Sequence, residues 1–528
     1  MDFLTCRIKG YIQPFERQLA LQELRALSLG DVIPVDGDES TASLFSIPDT
    51  ANLSTLRNAL AYWQEVGTEP DGLTIQIRRE ATWVSAHNGG MFNGLIPSVP
   101  SKLPKKRCLR YATHGLHEYR GKFFPQLVRA LINIAQVPDN GIVLDPMCGS
   151  GTTLVETRLA GRTAYGLDMN PLSVFIARVK CQALALDVES LMGAYETLRK
   201  ALCTSPEQTT GKYFASLPRD DQAYLERWFA AHVLMELDQV VEAIRRLPEV
   251  ELQNFYRVCL SNILRGVSWQ KNDDLRVRKQ VVEFRTGEVI ERFLNEALRS
   301  TKIVAAFLSE RSQEDLGPHT VQEADSRQAT NVLPTLLGKV DAVITSPPYA
   351  TALPYIDTDR LSLIYLGLLR RADHRIRDGM MIGNREVTEK CRAQYWAFYE
   401  KNKLLLPTAT RALIERIDRL NKATAVGFRR RNLSALLSKY FFDMYSVIEQ
   451  THILLRPGGV MFMVIGNNRT TAGRELIEIS TADHLAATAE TLGFEITNSL
   501  SMDMLASRDI FRKNAMKSEQ ILTLKKPQ

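Results

Sequence analysis

An apolar run, Ile142-Val143-Leu144, ends in Asp145 and passes through Pro146-Met147-Cys148-Gly149-Ser150-Gly151 into a helix-forming stretch, Thr152 to Ala160. A strand that turns through glycines straight into a helix is the unit from which α/β sheets are built. The glycines allow a tight turn and a close approach of backbone to ligand. No Lys follows the second glycine, so the loop is not a phosphate-cradling P-loop, and no third glycine completes a dinucleotide fingerprint. An acidic lead residue suits a cofactor with an amino group and a positive centre better than one bearing phosphates. Asp145, Pro146, Cys148, Gly149, Gly151 and Thr152 are the resulting cofactor-binding candidates.

Two further acids are expected at strand ends. Thr163 to Asp168 reads as a second strand, and Asp168 with Asn170 at its tip is placed to receive the two hydroxyls of a ribose. His319 to Ala324 reads as a third, followed by Asp325, positioned to accept from an adenine amino group. Each acid alone reads more readily as a turn or helix-cap residue, and the ordered set at strand ends reverses that preference. A fourth run, Val340 to Ile344, leads into Thr345-Ser346-Pro347-Pro348-Tyr349. Two adjacent prolines fix the backbone and remove two N–H donors. The Ser346 hydroxyl and the neighbouring carbonyls are then acceptors at a strand's carboxyl end, where open α/β sheets bind ligands. Those acceptors suit the N–H donors of an exocyclic amine on a nucleobase, with Tyr349 stacking on the ring. A plain turn ending a strand is the alternative.

Taken together, these segments resemble the S-adenosylmethionine-dependent DNA methyltransferases that modify exocyclic amines, over about residues 111–181 and 319–524. The glycine loop resembles that family's Asp-Pro-x-x-Gly-Ser-Gly-Thr-Thr cofactor motif, and Gly166-Leu167-Asp168-Met169-Asn170-Pro171 its ribose motif. His114 to Pro125 is similar to the segment that encloses the methionine moiety, which implies Lys122 and Phe123 as cofactor contacts. Ser346, Pro347, Pro348 and Tyr349 resemble the cytosine-N4 version of the catalytic tetrad; adenine-N6 enzymes more often begin it with Asp or Asn. The resemblance implies a Rossmann-like mixed sheet with helices on both faces, S-adenosyl-L-methionine as cofactor and double-stranded DNA as substrate. It also raises a restriction nuclease or defence-system partner. The alternatives are an adenine-N6 DNA methyltransferase, an RNA guanine-N2 methyltransferase and a non-catalytic DNA-binding module. A cytosine-C5 enzyme needs a Pro-Cys nucleophile, and the sequence has no Pro-Cys dipeptide.

The expected organisation is a small α+β unit over 1–105, the cofactor half over 106–181, a mainly helical insert over 182–315 and the catalytic half over 316–528, itself interrupted near 355–435. In the first unit, Phe3 to Tyr11 and Thr74 to Arg79 read as strands and Pro14 to Leu27 as a helix. Asn88 to Pro104 with Lys105-Lys106-Arg107 reads as a linker. The insert shows helical periodicity over Asp221 to Arg246 and Val289 to Glu310. Late in the chain, Tyr440 to Leu455 reads as a helix stopped by Arg456-Pro457-Gly458-Gly459, and Val460 to Ile465 as a strand. A helix over 483–492 and strands from Gly493 and over Ser518 to Lys525 close the sheet. Both interruptions are candidates for reading DNA. Basic clusters occur around Trp269 (Arg265, Lys271, Arg276, Arg278, Lys279), in an irregular stretch from Arg370 to Arg392, and at Arg429-Arg430-Arg431. Net charge is only +6, compatible with a polyanionic partner and no proof of one. His114 and His117 lie three apart, but no further ligands follow at zinc spacing, so no metal site is expected. Seven cysteines without a Cys-x-x-Cys pair, no long apolar run and no signal layout point to a cytoplasmic protein with free thiols.

Overall fold

A computed structural model describes residues 3–28, 30–48, 51–67, 72–88, 103–119, 123–204, 211–271, 278–311, 315–350, 355–384, 387–503 and 518–528. The amino-terminal strands are β1 (Phe3–Ile8), β2 (Ile33–Pro34), β3 (Leu44–Pro48) and β4 (Trp63–Val66), an antiparallel sheet in the order β2-β3-β1-β4. The helix Pro14–Ser28 lies over it and against the helix Pro125–Ile134. Buried polar groups pin this unit down. Glu23, fully buried, accepts from the main-chain N–H groups of Ala61 and Tyr62 at 3.1 and 3.0 Å and from the Asn133 amide at 2.8 Å. Burial nonetheless pushes its carboxyl up to about 7. Lys9, equally buried, donates to Glu80 at 2.6 Å and to the Ala61 carbonyl at 2.7 Å.

The expected strand Thr74–Arg79 is instead the start of a helix, Ile75–Asn88. Alternation over six residues does not separate a strand from a helix whose polar side chains are themselves buried. Gln76 and Glu80, four apart, share one helix face and hydrogen-bond at 3.0 Å, and Glu80 then receives Lys9. Most of the expected linker lies outside the described residues. Arg107, at its end, pairs with Glu16 at 2.8 Å and lies over the Phe124 ring.

The main sheet comprises β5 (Ile142–Asp145), β6 (Thr163–Asp168), β7 (His319–Glu323), β8 (Val340–Thr345), β9 (Leu455–Gly466), β12 (Glu495–Asp503) and β13 (Ser518–Lys525). Between β9 and β12, the strands β10 (Asn468–Ala472) and β11 (Glu475–Ile479) form a separate hairpin. The sheet order is β12-β13-β9-β8-β5-β6-β7, parallel except for β13. It is the mixed α/β sheet expected from the sequence. Strand alternation divides its side chains between two cores. Val143, Ala342, Ile344, Phe462 and Val464 meet the amino-terminal unit and the helix Pro125–Ile134. Leu144, Val343, Met461 and Met463 meet the long helix Leu433–Leu454 and the helix Thr481–Thr491. Burial on both faces is what makes these strands read as continuous apolar runs.

The insert is helical, as expected, although the periodic stretch Asp221–Arg246 divides into two helices, Arg219–Leu225 and Ala231–Arg245. Val250–Leu264 packs on the helix Pro171–Ala183 that follows β6, and Ala231–Arg245 and Glu288–Glu310 pack on Val250–Leu264 and on each other. The stretch Arg370–Arg392 is not irregular: it holds the helix Arg371–Met380 and the first turn of Glu389–Asn402. Its apolar residues Ala372, Ile376 and Met380 recur every four positions on an exposed face, and His374 is the one buried side chain of the first helix. β9 begins at Leu455 rather than after Gly459, because the Gly458 N–H and the Gly459 carbonyl pair with the carboxyl-terminal residues Lys526 and Pro527. No helix among the described residues is long and apolar enough to cross a membrane.

Two glycines test this packing in opposite directions. A Cβ at Gly317 would lie 1.8 Å from the Arg162 carbonyl oxygen, whereas Gly193, inside the helix Val188–Thr204, has open space around it. In urea denaturation, Gly317→Ala lowers the unfolding free energy by about 2–3 kcal/mol and Gly193→Ala raises it by about 0.5–1 kcal/mol.

Candidate active site

The chain adds β6 and β7 on one side of β5, then crosses back to place β8 on the other. This reversal opens a crevice between the loops that leave β5 and β8. Val143 pairs with Ala342 and Leu144 with Val343, so Asp145 and Thr345 leave the sheet side by side. The glycine loop and the Ser-Pro-Pro-Tyr tetrad therefore border one cleft. Thr153, in the first turn of the helix Thr152–Leu159, donates from Oγ1 to the Ile344 carbonyl at 3.3 Å and ties the two loops together.

Asp145 sits at the floor of this junction and is buried. Burial pushes its carboxyl up to about 6, against the pull of the Thr153 and Thr345 hydroxyls and the Met147 N–H. Asp168, half-buried at the tip of β6, accepts from the Gly149 N–H at 2.9 Å and the Asn170 N–H at 2.8 Å. Burial again outweighs these bonds and pushes it up to about 6. Asn170 caps the next helix through the Leu172 N–H at 3.1 Å and donates to Asp359 at 3.2 Å. Pro146 and Cys148 are buried in the turn. The Cys148 N–H donates to the Leu167 carbonyl at 2.9 Å, and burial raises its thiol well above the ordinary range, so it is a packing group. Gly149 and Gly151 have φ of +49° and +81°. A side chain at Gly151 would meet Ala177 at 2.7 Å, and one at Gly149 would approach the Tyr119 ring at 3.3 Å. Tyr119 is fixed over the loop by a 2.7 Å hydrogen bond to Ser173. Lys180, fully buried, donates to the Ser150 hydroxyl at 3.1 Å.

Across the cleft, Ser346, Pro348 and Tyr349 are half-buried and Pro347 is buried. The Tyr349 hydroxyl donates to Glu519 on β13, a carboxyl raised by burial and lowered by that bond. Gly383, at φ +77°, lies so close to Pro348 and the Tyr349 carbonyl that a Cβ would stand 2.9 Å from that oxygen. The Asn468 amide, where β10 begins, donates to the Ala350 carbonyl at 2.9 Å.

Of the remaining candidates, Phe123 packs against the amino-terminal core and Lys122 lies outside the described residues. Asp325 is paired with Arg327 at 2.7 Å and caps the short helix beginning at Ser326. Arg327 also pairs with Asp443 at 2.7 Å and donates to the Met380 carbonyl at 3.0 Å. The histidines are structural. His114 bonds the buried Glu156 at 2.7 Å, and His117 bonds Ser261 at 3.1 Å. Sequence reasoning missed Tyr119, Arg327, Gly383, Asn468 and Glu519. Only Glu519 left a signal, as an acid at a buried position of an alternating apolar strand.

A family model described as "RMKL-like, methyltransferase domain" matches residues 116–221, which contain the glycine loop, Asp168 and Asn170. The chain is an S-adenosylmethionine-dependent methyltransferase. Relatives extend the likeness. Type II methyltransferase M.MvaI of Kocuria varians is 25% identical over 378 residues, covering 67% of this chain and 77% of that protein. M.BsoBI of Geobacillus stearothermophilus is 23% identical over 421 residues, covering 72% and 78%. The tRNA (guanine(10)-N2)-dimethyltransferase of Methanocaldococcus jannaschii is 44% identical over 50 residues, covering 10% and 14%.

The cleft of this methyltransferase fits its cofactor chemically. Burial opposes ionisation of both acids, and a cationic ligand beside them favours their charged form. The glycine at 149 leaves the loop backbone bare beneath Tyr119.

The Asp145 carboxyl gives a direct test. Its folded-state value of about 6 lies above the ordinary carboxyl value of 3.8. The stability it adds is therefore fully present below about pH 4 and is lost as pH rises through about 6. Between pH 4 and pH 7.5, denaturant titrations are expected to show the wild type losing roughly 3 kcal/mol relative to Asp145→Asn. Parallel pH profiles would contradict the burial of this charge.

Proposed function

We propose that the protein methylates the exocyclic amine of a base turned out of duplex DNA, and that the base is cytosine, methylated at N4. The observation that carries this reading is the single cleft bordered by the glycine loop and the tetrad, joined through Thr153 and the Ile344 carbonyl. The two type II methyltransferases share most of their length with this chain, which favours DNA over the tRNA substrate of a relative that shares 50 residues. Ser346 at the head of the tetrad favours cytosine over adenine.

An exocyclic amine is a poor nucleophile because its lone pair is delocalised into the ring. Ser346 Oγ and the Pro347 carbonyl accept its two N–H bonds and hold them out of the ring plane. The nitrogen is then pyramidal, with its lone pair directed across the cleft toward the glycine loop. S-adenosyl-L-methionine, when bound, supplies a methyl group activated by a sulfonium. Asp168 receives the ribose hydroxyls, and the acid pair Asp145 and Asp168 favours the cofactor's positive charge. Gly149 and Gly151 let the backbone approach it, with Tyr119 closing over the loop. The contribution of these residues is orientation and electrostatics, and no side chain forms a covalent bond to the base. Extruding the base costs a few kcal/mol. Tyr349, held by Glu519, returns about 1–3 kcal/mol by stacking.

Incubation with tritiated S-adenosylmethionine and duplex DNA, followed by nucleoside chromatography, tests the reading. The expected label is N4-methylcytosine. Label in N6-methyladenine would correct the base, and label in tRNA alone would remove DNA as the substrate.

Two substitutions separate the halves of the cleft. Tyr349→Ala is expected to lower turnover at least ~10-fold, as loss of stacking requires, with cofactor affinity unchanged by calorimetry. Asp168→Ala is expected to weaken cofactor binding by about 1.5–3 kcal/mol, the range for hydrogen bonds to a charged group.

A further inference from the structure

Two long segments interrupt the sheet, and their charge separates them. Residues 182–315 carry 18 Lys and Arg against 21 Asp and Glu, whereas residues 355–435 carry 17 against 9. A chain of net charge +6 thus concentrates its positive excess in the second segment. Helical ion pairs occur in both segments: Arg199 with Glu196, Arg245 with Glu242, Arg292 with Glu288 and Arg299 with Glu296 in the first, and Arg392 with Glu389, Lys403 with Glu400 and Lys422 with Asp418 in the second. In the second, Arg419, Arg430 and Arg431 are exposed, and none of the three makes an ion pair among the described residues.

These cations are also mechanically linked to the tetrad. The Asn421 amide, on the helix Thr408–Lys422, donates to the Arg430 carbonyl at 2.8 Å and accepts from the Gly473 N–H at 2.8 Å. Gly473 is the turn of the β10–β11 hairpin, and the other end of β10, at Asn468, is bonded to Ala350. Five residues of strand span about 17 Å. On duplex DNA, with a charge every ~1.7 Å of axis, that distance reaches phosphates about half a helical turn from the base being modified.

We infer that the duplex backbone is gripped by the lobe of residues 389–431 with the β10–β11 hairpin, through Arg419, Arg430 and Arg431, and that the helical insert 188–311 is scaffold. This rests on the proposed methylation of DNA and names the surface that serves it. Unpaired, exposed guanidinium groups suit phosphate oxygens, and binding them releases counterions.

The test is the salt dependence of duplex binding by the full chain. Two variants are compared: Arg419→Ala/Arg430→Ala/Arg431→Ala, and Lys271→Ala/Lys279→Ala in the basic cluster around Trp269. The triple variant is expected to lose at least ~10-fold in duplex affinity and to lower the slope of log affinity against log salt by about one per arginine. Its affinity for S-adenosylmethionine stays at the wild-type value, which reports an intact fold. The Lys271/Lys279 variant keeps both affinity and slope. A triple variant that binds DNA like a methylating wild type overturns the assignment, as does a slope change confined to Lys271/Lys279. Stronger displacement by tRNA than by duplex overturns it in favour of RNA. A wild type that transfers no methyl group to DNA removes the underlying reading, and this inference with it.

Discussion

The parallel pairing of β5 with β8 determines what the rest of the molecule can do. Hydrogen bonds between these central strands place the ends of two segments about 200 residues apart in sequence beside each other. The Thr153 hydroxyl then locks one loop to the other strand. The glycine loop and the tetrad are those two loops, and Asp168 stands beside them at the tip of β6. The sheet supplies rigidity by burying Val143, Leu144, Ala342, Val343 and Ile344 on both faces, so the cleft is positioned by a packed core rather than by mobile connections. The reversal of strand order at this point is what leaves room for a ligand.

Buried charge sets the character of the cleft and of its supports. Asp145 and Asp168 lie where desolvation opposes ionisation, and the hydrogen bonds around them only partly compensate. Such a site is less stable empty than occupied by a cation, which is how a cofactor with a sulfonium and an ammonium group gains affinity. By contrast, Glu156 is held below the ordinary range: burial pushes it up, but His114, Arg129 and Arg79 outweigh that. Tyr111 and His114 both bond Glu156 Oε1 at 2.7 Å, anchoring the segment that carries Tyr119 over the glycine loop. Removing one partner from such a cluster leaves an uncompensated charge, so these groups act on the cleft through its roof.

Much of this was legible in the sequence because it is local. The parallel strands read as apolar runs, the glycines as a turn that only glycine can make, and the tetrad as a rigid loop of acceptors. The strands expected from Gly493 and over Ser518 to Lys525 are present and pair antiparallel to close the sheet. The errors arose where local pattern and tertiary partner diverge. Thr74–Arg79 alternates like a strand yet buries its polar residues in a helix against Lys9. Arg370–Arg392 leaves its apolar residues on an exposed face and still forms helices, tied down by the Arg371 N–H on Asp221 at 2.7 Å and by Arg377 on Glu323 at 2.6 Å. Glu519, Gly383 and Asn468 reach the tetrad from remote parts of the chain, and no spacing rule announces them. The β10–β11 hairpin went unseen for the same reason: its short strands alternate weakly, and its place is set by the helix Thr408–Lys422 beneath it.

Charge balance distinguishes the two segments that motifs left open. Both interruptions of the sheet contain arginine clusters, and sequence alone offered either as the surface for DNA. Their difference lies in net charge: the insert carries more acids than bases, whereas the lobe beside the tetrad carries an excess of Lys and Arg and keeps several arginines exposed. The central claim is that donor and acceptor meet in the cleft between Gly149 and Ser346. A crystal structure with S-adenosylhomocysteine and a target duplex tests it most directly. The account predicts the cofactor sulfur beside the Gly149 loop, with the extruded base's amine within the ~3–3.5 Å approach range plus one methyl bond length. A cofactor bound away from that loop, or a base held on another face of the sheet, would contradict it.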